Sequence, residues 1–320
     1  MSGGKPSSVD VSQRILSGDT RAIARAITWV ENGDPRGAEL IKRVYRSTGR
    51  GYVVGVTGSP GAGKSTLVSR IAAFLAARGQ KVGVLAVDPS SPFTGGAILG
   101  DRVRMFDVAL TDNIYIRSMG TRGALGGLNR AIRMSVRILD AAGFGWILVE
   151  TVGAGQSEVD VHDVAYTTLV VMAPGMGDDI QAMKAGIMEI GDLFVINKAD
   201  RDGAERTATQ VQSVLELAVT NGWNPPVVLA SAEQNAGIAA VVALVEQHRS
   251  HLTASGALDM MRTRMAKLDV LEILRARLSD TVRQELEEPS VQADLEKVVT
   301  RESDPYSMAD AIFERSWRSR

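Results

Sequence analysis

A chain of 320 residues with 36 basic and 37 acidic side chains carries a formal charge of −1, so no global field draws it to nucleic acid or to an anionic membrane. It has no cysteine and only three histidines, His162, His248 and His251, which excludes a disulfide framework, a thiol nucleophile and a zinc thiolate site of its own. No apolar run approaches the roughly 18 residues of a membrane helix, and Met1 to Ser8 lack the apolar core of a signal peptide; a soluble, cytoplasmic protein is expected.

The first eight residues read as disordered. Two helical patterns follow: one capped by Asp19 and running through Ile23, Ala26, Ile27 and Val30, and one opened by Asp34-Pro35 and carrying Leu40, Ile41 and Val44. Residues 1–50 are thus a disordered start and a helical extension. From about residue 52, strands expected at 52–57, 81–87, 114–117, 146–150, 168–173, 192–197 and 226–230 alternate with helical patterns such as 66–77, 128–141, 180–190 and 204–220. That rhythm predicts an α/β domain over 51–256, a mainly parallel sheet with helices on both faces. Beyond it, Leu271, Leu274, Leu278 and Val282 form an apolar stripe at helical spacing. Pro289 ends that helix, and Asp304-Pro305 opens a last one through Ile312 and Phe313. Residues 257–320 read as a helical layer on the domain or as a dimerisation arm.

The first strand runs into Gly58-Ser59-Pro60-Gly61-Ala62-Gly63-Lys64-Ser65-Thr66. Glycines let backbone N–H groups converge on phosphate oxygens where side chains would block the approach. Lys64 neutralises the β and γ phosphates, Ser65 offers a hydroxyl to Mg2+, and the following helix presents its positive end. After the strand at 146–150 comes Glu150-Thr151-Val152-Gly153-Ala154-Gly155-Gln156. Glu150 suits magnesium, directly or through water, and the Gly153 N–H suits the γ phosphate. Many GTPases carry a water-orienting Gln immediately after that glycine; Ala154 stands there instead, which predicts slow hydrolysis that awaits a partner.

Asp88, before Pro89, and Asp101, in a glycine-rich loop, read either as further magnesium-shell acids or as turn and cap residues. The loop Ala173 to Asp179, ahead of Gln181 and Lys184, reads as a γ-phosphate sensor or as an ordinary strand-to-helix connection. Asn197-Lys198-Ala199-Asp200 follows a strand. Its Asp200 can accept from the guanine N1–H and 2-amino group, which adenine cannot supply, and a site built on such pairs rejects the wrong base. Ser231-Ala232-Glu233 after the next strand completes the pocket through backbone contact to the guanine O6.

Together the strings GSPGAGKST, VDPSSPFTGGAILGDRVRM, TRGALGGL, ETVGAGQSE, APGMGDDIQAMKAGIMEIGD and NKAD resemble the MeaB/ArgK/MMAA family of G3E P-loop GTPases, over roughly residues 15 to 285. The resemblance implies a P-loop fold of the SIMIBI type and a GTP-hydrolysing chaperone, cycling between GTP and GDP. Its client would be methylmalonyl-CoA mutase or a related adenosylcobalamin-dependent acyl-CoA mutase, which it protects while gating cofactor loading. It further implies Ser65, Asp88, Asp101 and Glu150 as the Mg2+ and switch shell, Asn197, Lys198 and Asp200 as the base site, and Pro174 to Lys184 as the switch facing the mutase, with Lys184 a catalytic contributor beside Lys64 and Glu150. A homodimer built by the carboxyl-terminal helices is implied as well. The alternatives are a G3E metallochaperone for a nickel enzyme, disfavoured by the absence of cysteine, a small-molecule P-loop kinase, which has no need of a guanine reader, and a nucleotide-binding scaffold without turnover.

Overall fold

Short runs rich in β-branched residues form a parallel sheet whose inner strands are buried on both faces. β1 (Tyr52–Gly58) is entirely buried and lies at the centre, flanked by β4 (Trp146–Thr151) and β5 (Thr167–Met172). β2 (Val82–Asp88) and β3 (Ile114–Gly120) extend one side, β6 (Leu193–Ile196) and β7 (Val227–Leu229) the other. The order is β3-β2-β4-β1-β5-β6-β7, and every pair is parallel. Continuous apolar strands of this kind require cover on both faces. The computed structural model describes residues 7–88, 113–120, 127–151, 161–175, 187–216 and 222–318.

Among the described residues the helices are α1 (Ser8–Leu16), α2 (Thr20–Glu31), α3 (Pro35–Val44), α4 (Lys64–Ala77), α5 (Gly127–Ala141), α6 (Ile187–Ile190), α7 (Ala204–Leu215), α8 (Ile238–Ala254), α9 (Ala257–Leu286), α10 (Pro289–Val299) and α11 (Pro305–Arg318). Asp19 and Asp34 cap α2 and α3 as expected, their carboxylates accepting from the N–H groups of Ala22 and Arg36. α1 was not anticipated: it is short and buries only Val11, Ser12 and Ile15, too few positions for a clear period. α8 and α10 are also additions to the expected elements. Pro289 starts α10 instead of merely ending α9, because a proline's missing N–H costs nothing in a helix's first turn. Among the described residues no helix is long and apolar enough to cross a membrane.

The chain divides into two compact units, residues 1–262 and 263–320. In the first, α1 to α3 pack together and α2 lies against α5. Asp140 of α5 accepts from the backbone N–H groups of Gly49, Arg50 and Gly51 at 2.5, 3.1 and 2.8 Å, which pins the chain as it enters β1. In the second, Val291, Met308 and Ile312 form a small core with Leu286, Leu295 and Val298. Beside it an apolar groove of about 410 Å³ runs past Leu278, Val282 and Phe313.

A polar chain crosses the amino ends of the strands. Tyr52 Oη lies 2.6 Å from Thr167 Oγ1, which lies 2.8 Å from His248 Nδ1, and His248 Nε2 is 3.6 Å from Asp192 Oδ1. The other Asp192 oxygen accepts the Thr168 N–H at 2.8 Å. Trp223 donates its indole N–H to the Asp192 carbonyl and packs at a tilt of about 40° against the rings of His248 and His251. This set fixes the starts of β1, β5 and β6 relative to α8.

Burial pushes the Asp192 carboxyl up to about 7 and the His248 imidazole, also opposed by His251, down to about 4. Both effects favour a neutral acid beside a neutral imidazole. Because the Asp192 pKa is raised on folding, its contribution to stability is complete below pH ~4 and is lost as pH rises towards 7; the lowered His248 pKa acts in the opposite sense, losing stability as pH falls from about 6.5 to 4. Asp192→Asn keeps an oxygen for Thr168 and an N–H for His248. Its melting temperature relative to wild type is expected to climb between pH 4 and 7 and to level off above; a gap constant across that range would refute this titration.

Candidate functional site

The carboxyl ends of β1, β4 and β6 and the loop after β7 supply the residues expected from sequence. β1 turns at Gly58, whose φ is 131°; a Cβ there would lie 2.0 Å from the Val171 carbonyl oxygen of β5, so only glycine fits. Pro60 and Gly61 form the exposed tip, and Ser59 and Ala62 are buried beneath it. Gly63, at φ 87°, is the N-cap of α4 and offers no side-chain hydrogen bond to its first turn, which holds Lys64, Ser65 and Thr66. An uncapped helix start with converging N–H groups is the arrangement that accepts an anion.

The Lys64 ammonium, on a buried side chain, donates to the carbonyls of Gly58 at 2.6 Å and Ser59 at 3.0 Å. It is therefore held along the loop by backbone acceptors. Ser65 donates its hydroxyl to Glu150 Oε1 at 2.5 Å, and Glu150 is 1% exposed. A buried carboxylate and a hydroxyl meeting at the phosphate loop form a hard-oxygen pair of the type Mg2+ takes, so these two residues fit the metal that the sequence assigns to them. Asp88 closes β2 opposite Gly120, with its side chain outside the described residues. Asp101, Gly153, Ala154, Gln156 and Lys184 also lie outside the described residues.

Asn197 is 2% exposed and joins three segments. Its Nδ2 donates to the carbonyls of Ala62 at 2.8 Å and Gly63 at 3.4 Å, and its Oδ1 accepts from the Ala232 N–H at 3.0 Å. Lys198, in a left-handed conformation at φ 57°, reaches back to the Gly61 carbonyl at 2.6 Å. Asp200 is exposed and accepts from the Ser231 hydroxyl at 2.5 Å; that bond is the largest influence holding its carboxyl below the usual range. The carboxylate that the sequence assigns to a guanine edge is thus ionised and held in place by Ser231.

The loop Ser231 to Ala236 closes on itself, Ser231 and Ala236 exchanging N–H to carbonyl bonds at 3.0 and 2.9 Å. Sequence reading missed one of its supports: Arg70, six residues after Lys64 on α4, donates its Nε–H to the Ala232 carbonyl at 2.9 Å. A lone arginine on a helix gives no signal of a partner so distant in the chain. The sequence also left unseen that Asn197 binds the phosphate loop as well as the base loop.

Phosphate loop, acidic strand end and base loop lie at the carboxyl edge of one parallel sheet, the place where open α/β folds bind ligands. This defines a P-loop nucleoside-triphosphate-binding protein. The family model described as Methylmalonyl Co-A mutase-associated GTPase MeaB matches residues 23–287, and the chain belongs to that family. It is 43% identical to a relative from Pyrococcus abyssi named as a GTPase, over 95% of both chains. It is 38% identical to GTPase ArgK of Escherichia coli, over 78% of each. To the mitochondrial methylmalonic aciduria type A homolog of Caenorhabditis briggsae it is 36% identical, over 78% of this chain and 66% of that one. Among solved structures it resembles one titled LAO/AO transport system kinase, with a TM-score of 0.71, 27% identity and 96% coverage of both chains.

Gly63 tests the junction. A Cβ there would stand 2.5 Å from Asn197 Nδ2, and the positive φ adds strain of roughly 1–3 kcal/mol. Gly63→Ala is expected to weaken guanine nucleotide binding about tenfold or more in equilibrium titration, whereas Gly79→Ala, also at positive φ but with nothing within 4 Å of its Cβ, leaves affinity unchanged. Equal affinity in the two variants would refute the junction.

Proposed function

We propose that this protein binds GTP with Mg2+, hydrolyses it slowly alone, and uses the nucleotide state to regulate its association with an adenosylcobalamin-dependent acyl-CoA mutase, methylmalonyl-CoA mutase or a near relative. The observation that carries the GTP reading is the Asn197 junction, which ties a phosphate cradle to an oriented, ionised Asp200. The family description supports the mutase as client.

Within this reading, Gly58 to Thr66 wrap the phosphates with backbone N–H groups, and Lys64 offsets the charge developing between the β and γ positions. Ser65 and Glu150 hold Mg2+, with Asp88 and Asp101 completing its shell; the metal supplies charge neutralisation on the phosphate oxygens. Asp200 accepts from the guanine N1–H and 2-amino group. Ala232 spends its own N–H on Asn197, so the O6 of the base is read by the next N–H of the loop, that of Glu233. Gly153 marks the γ phosphate, and the segment from Pro174 to Lys184 carries that information to the mutase. A nucleotide can drive such a switch only through contacts that differ between its two states.

The second unit supports a homodimer. Leu271, Leu274, Leu278 and Val282 of α9 are all at least 39% exposed and continue into the apolar groove bounded by Phe313. An apolar stripe of this length, at helical spacing, marks a contact surface.

Three measurements test the reading. Asp200→Asn turns one carboxylate acceptor into an amide donor, so it should weaken GTP binding at least tenfold and favour xanthosine triphosphate; unchanged GTP affinity would remove the base site. Single-turnover hydrolysis should accelerate at least tenfold when methylmalonyl-CoA mutase is added, and equal rates would remove the mutase as activator. Leu274→Glu with Leu278→Glu should convert a dimer to a monomer in light scattering without loss of helical signal, whereas a monomeric wild type would remove the dimer.

A further inference from the structure

α4 touches both ends of the nucleotide site. Its first turn carries Lys64 and Ser65 at the phosphate loop, and Arg70 lies roughly 9 Å further along its axis at 1.5 Å per residue. There the guanidinium Nε–H donates to the Ala232 carbonyl at 2.9 Å. That carbonyl belongs to the peptide unit whose other polar group is the N–H of Glu233. The unit is trans, so its C=O and N–H point in opposite directions within one plane. Fixing the oxygen on the α4 side fixes the direction of the N–H on the other.

The polar groups on either side of that peptide are already engaged. The Ala232 N–H goes to Asn197, the Ser231 N–H and carbonyl pair with Ala236, and the Ser231 hydroxyl links Asp200 with the Gln234 N–H. Ala232 is 2% exposed, while Glu233 stands at the surface of the loop. A cationic donor on the carbonyl also polarises the peptide and strengthens its N–H as a donor.

We infer that Arg70 is a positioning residue for base recognition: by holding the Ala232 carbonyl it aims the Glu233 N–H at the 6-oxygen of the bound purine. The inference rests on the base-site reading proposed above. It makes selectivity for a 6-oxopurine depend on a side chain of the phosphate-binding helix that touches no nucleotide atom.

The test compares affinities of the full-length protein for GTP, for ITP, which keeps the 6-oxygen and lacks the 2-amino group, and for 2-aminopurine riboside triphosphate, which lacks the 6-oxygen. Arg70→Met removes the donor and keeps the apolar stem. Arg70→Gln places an amide nitrogen at the same reach as Nε. Arg70→Met is expected to weaken GTP and ITP by roughly three- to tenfold, the worth of one hydrogen bond, and to leave the 2-aminopurine nucleotide unchanged; Arg70→Gln should restore most of the loss. Equal weakening for all three nucleotides, or none for any, overturns the inference. If the wild type itself shows no preference for the two 6-oxopurines, the base-site reading fails and the inference with it. A wild-type preference that Arg70→Met leaves intact overturns the role of Arg70 alone.

Discussion

The amide of Asn197 is the constraint on which the nucleotide edge depends. It is buried, its donors are spent on the carbonyls of Ala62 and Gly63, and its acceptor is spent on the N–H of Ala232. An amide supplies donor and acceptor from one planar group, which neither a carboxylate nor an ammonium can do. With both ends satisfied, two loops about 170 residues apart in sequence are held at a fixed separation, and leaving any of these buried groups unpaired would cost roughly 1–3 kcal/mol. Lys198 and Arg70 reinforce the same junction from either side, one reaching from the base strand to the phosphate loop and the other from the phosphate helix to the base loop.

The sheet separates two kinds of chemistry. Its carboxyl edge gathers charged and hydrogen-bonding groups around the glycine-rich turn, whereas its amino edge holds the Tyr52, Thr167, His248 and Asp192 chain with its charge suppressed by burial. β6 joins the two, since Asp192 precedes it and Asn197 follows it. A strand clamped at its start by a polar network and at its finish by an amide has little freedom to slide, and Lys198 and Asp200 just beyond it inherit that register.

The phosphate loop was legible in the sequence because its chemistry dictates its residues: the close approach of Gly58 to Val171 and of Gly63 to Asn197 leaves no room for a side chain. The inner strands were legible for a similar reason, as runs such as Val53 to Val56 and Leu193 to Ile196 are buried on both faces. What escaped is relational. Arg70 and Ala232, Asp140 and Gly49, and Thr167 and His248 are pairs whose partners lie 162, 91 and 81 residues apart, and no local pattern encodes them. α1 escaped because two buried aliphatic residues do not define a period. The start of α10 escaped because a proline that stops one helix can equally open the next.

Gly58 has a further consequence. Its missing side chain is required by the adjoining strand, not only by an approaching phosphate, since the obstructing atom is a backbone oxygen of β5. Sheet pairing and anion recognition therefore share a single steric allowance. A lineage that abandoned nucleotide binding would still be obliged to keep this glycine, so its retention in a sequence records the architecture of the sheet, whereas the retention of Lys64 would record the chemistry.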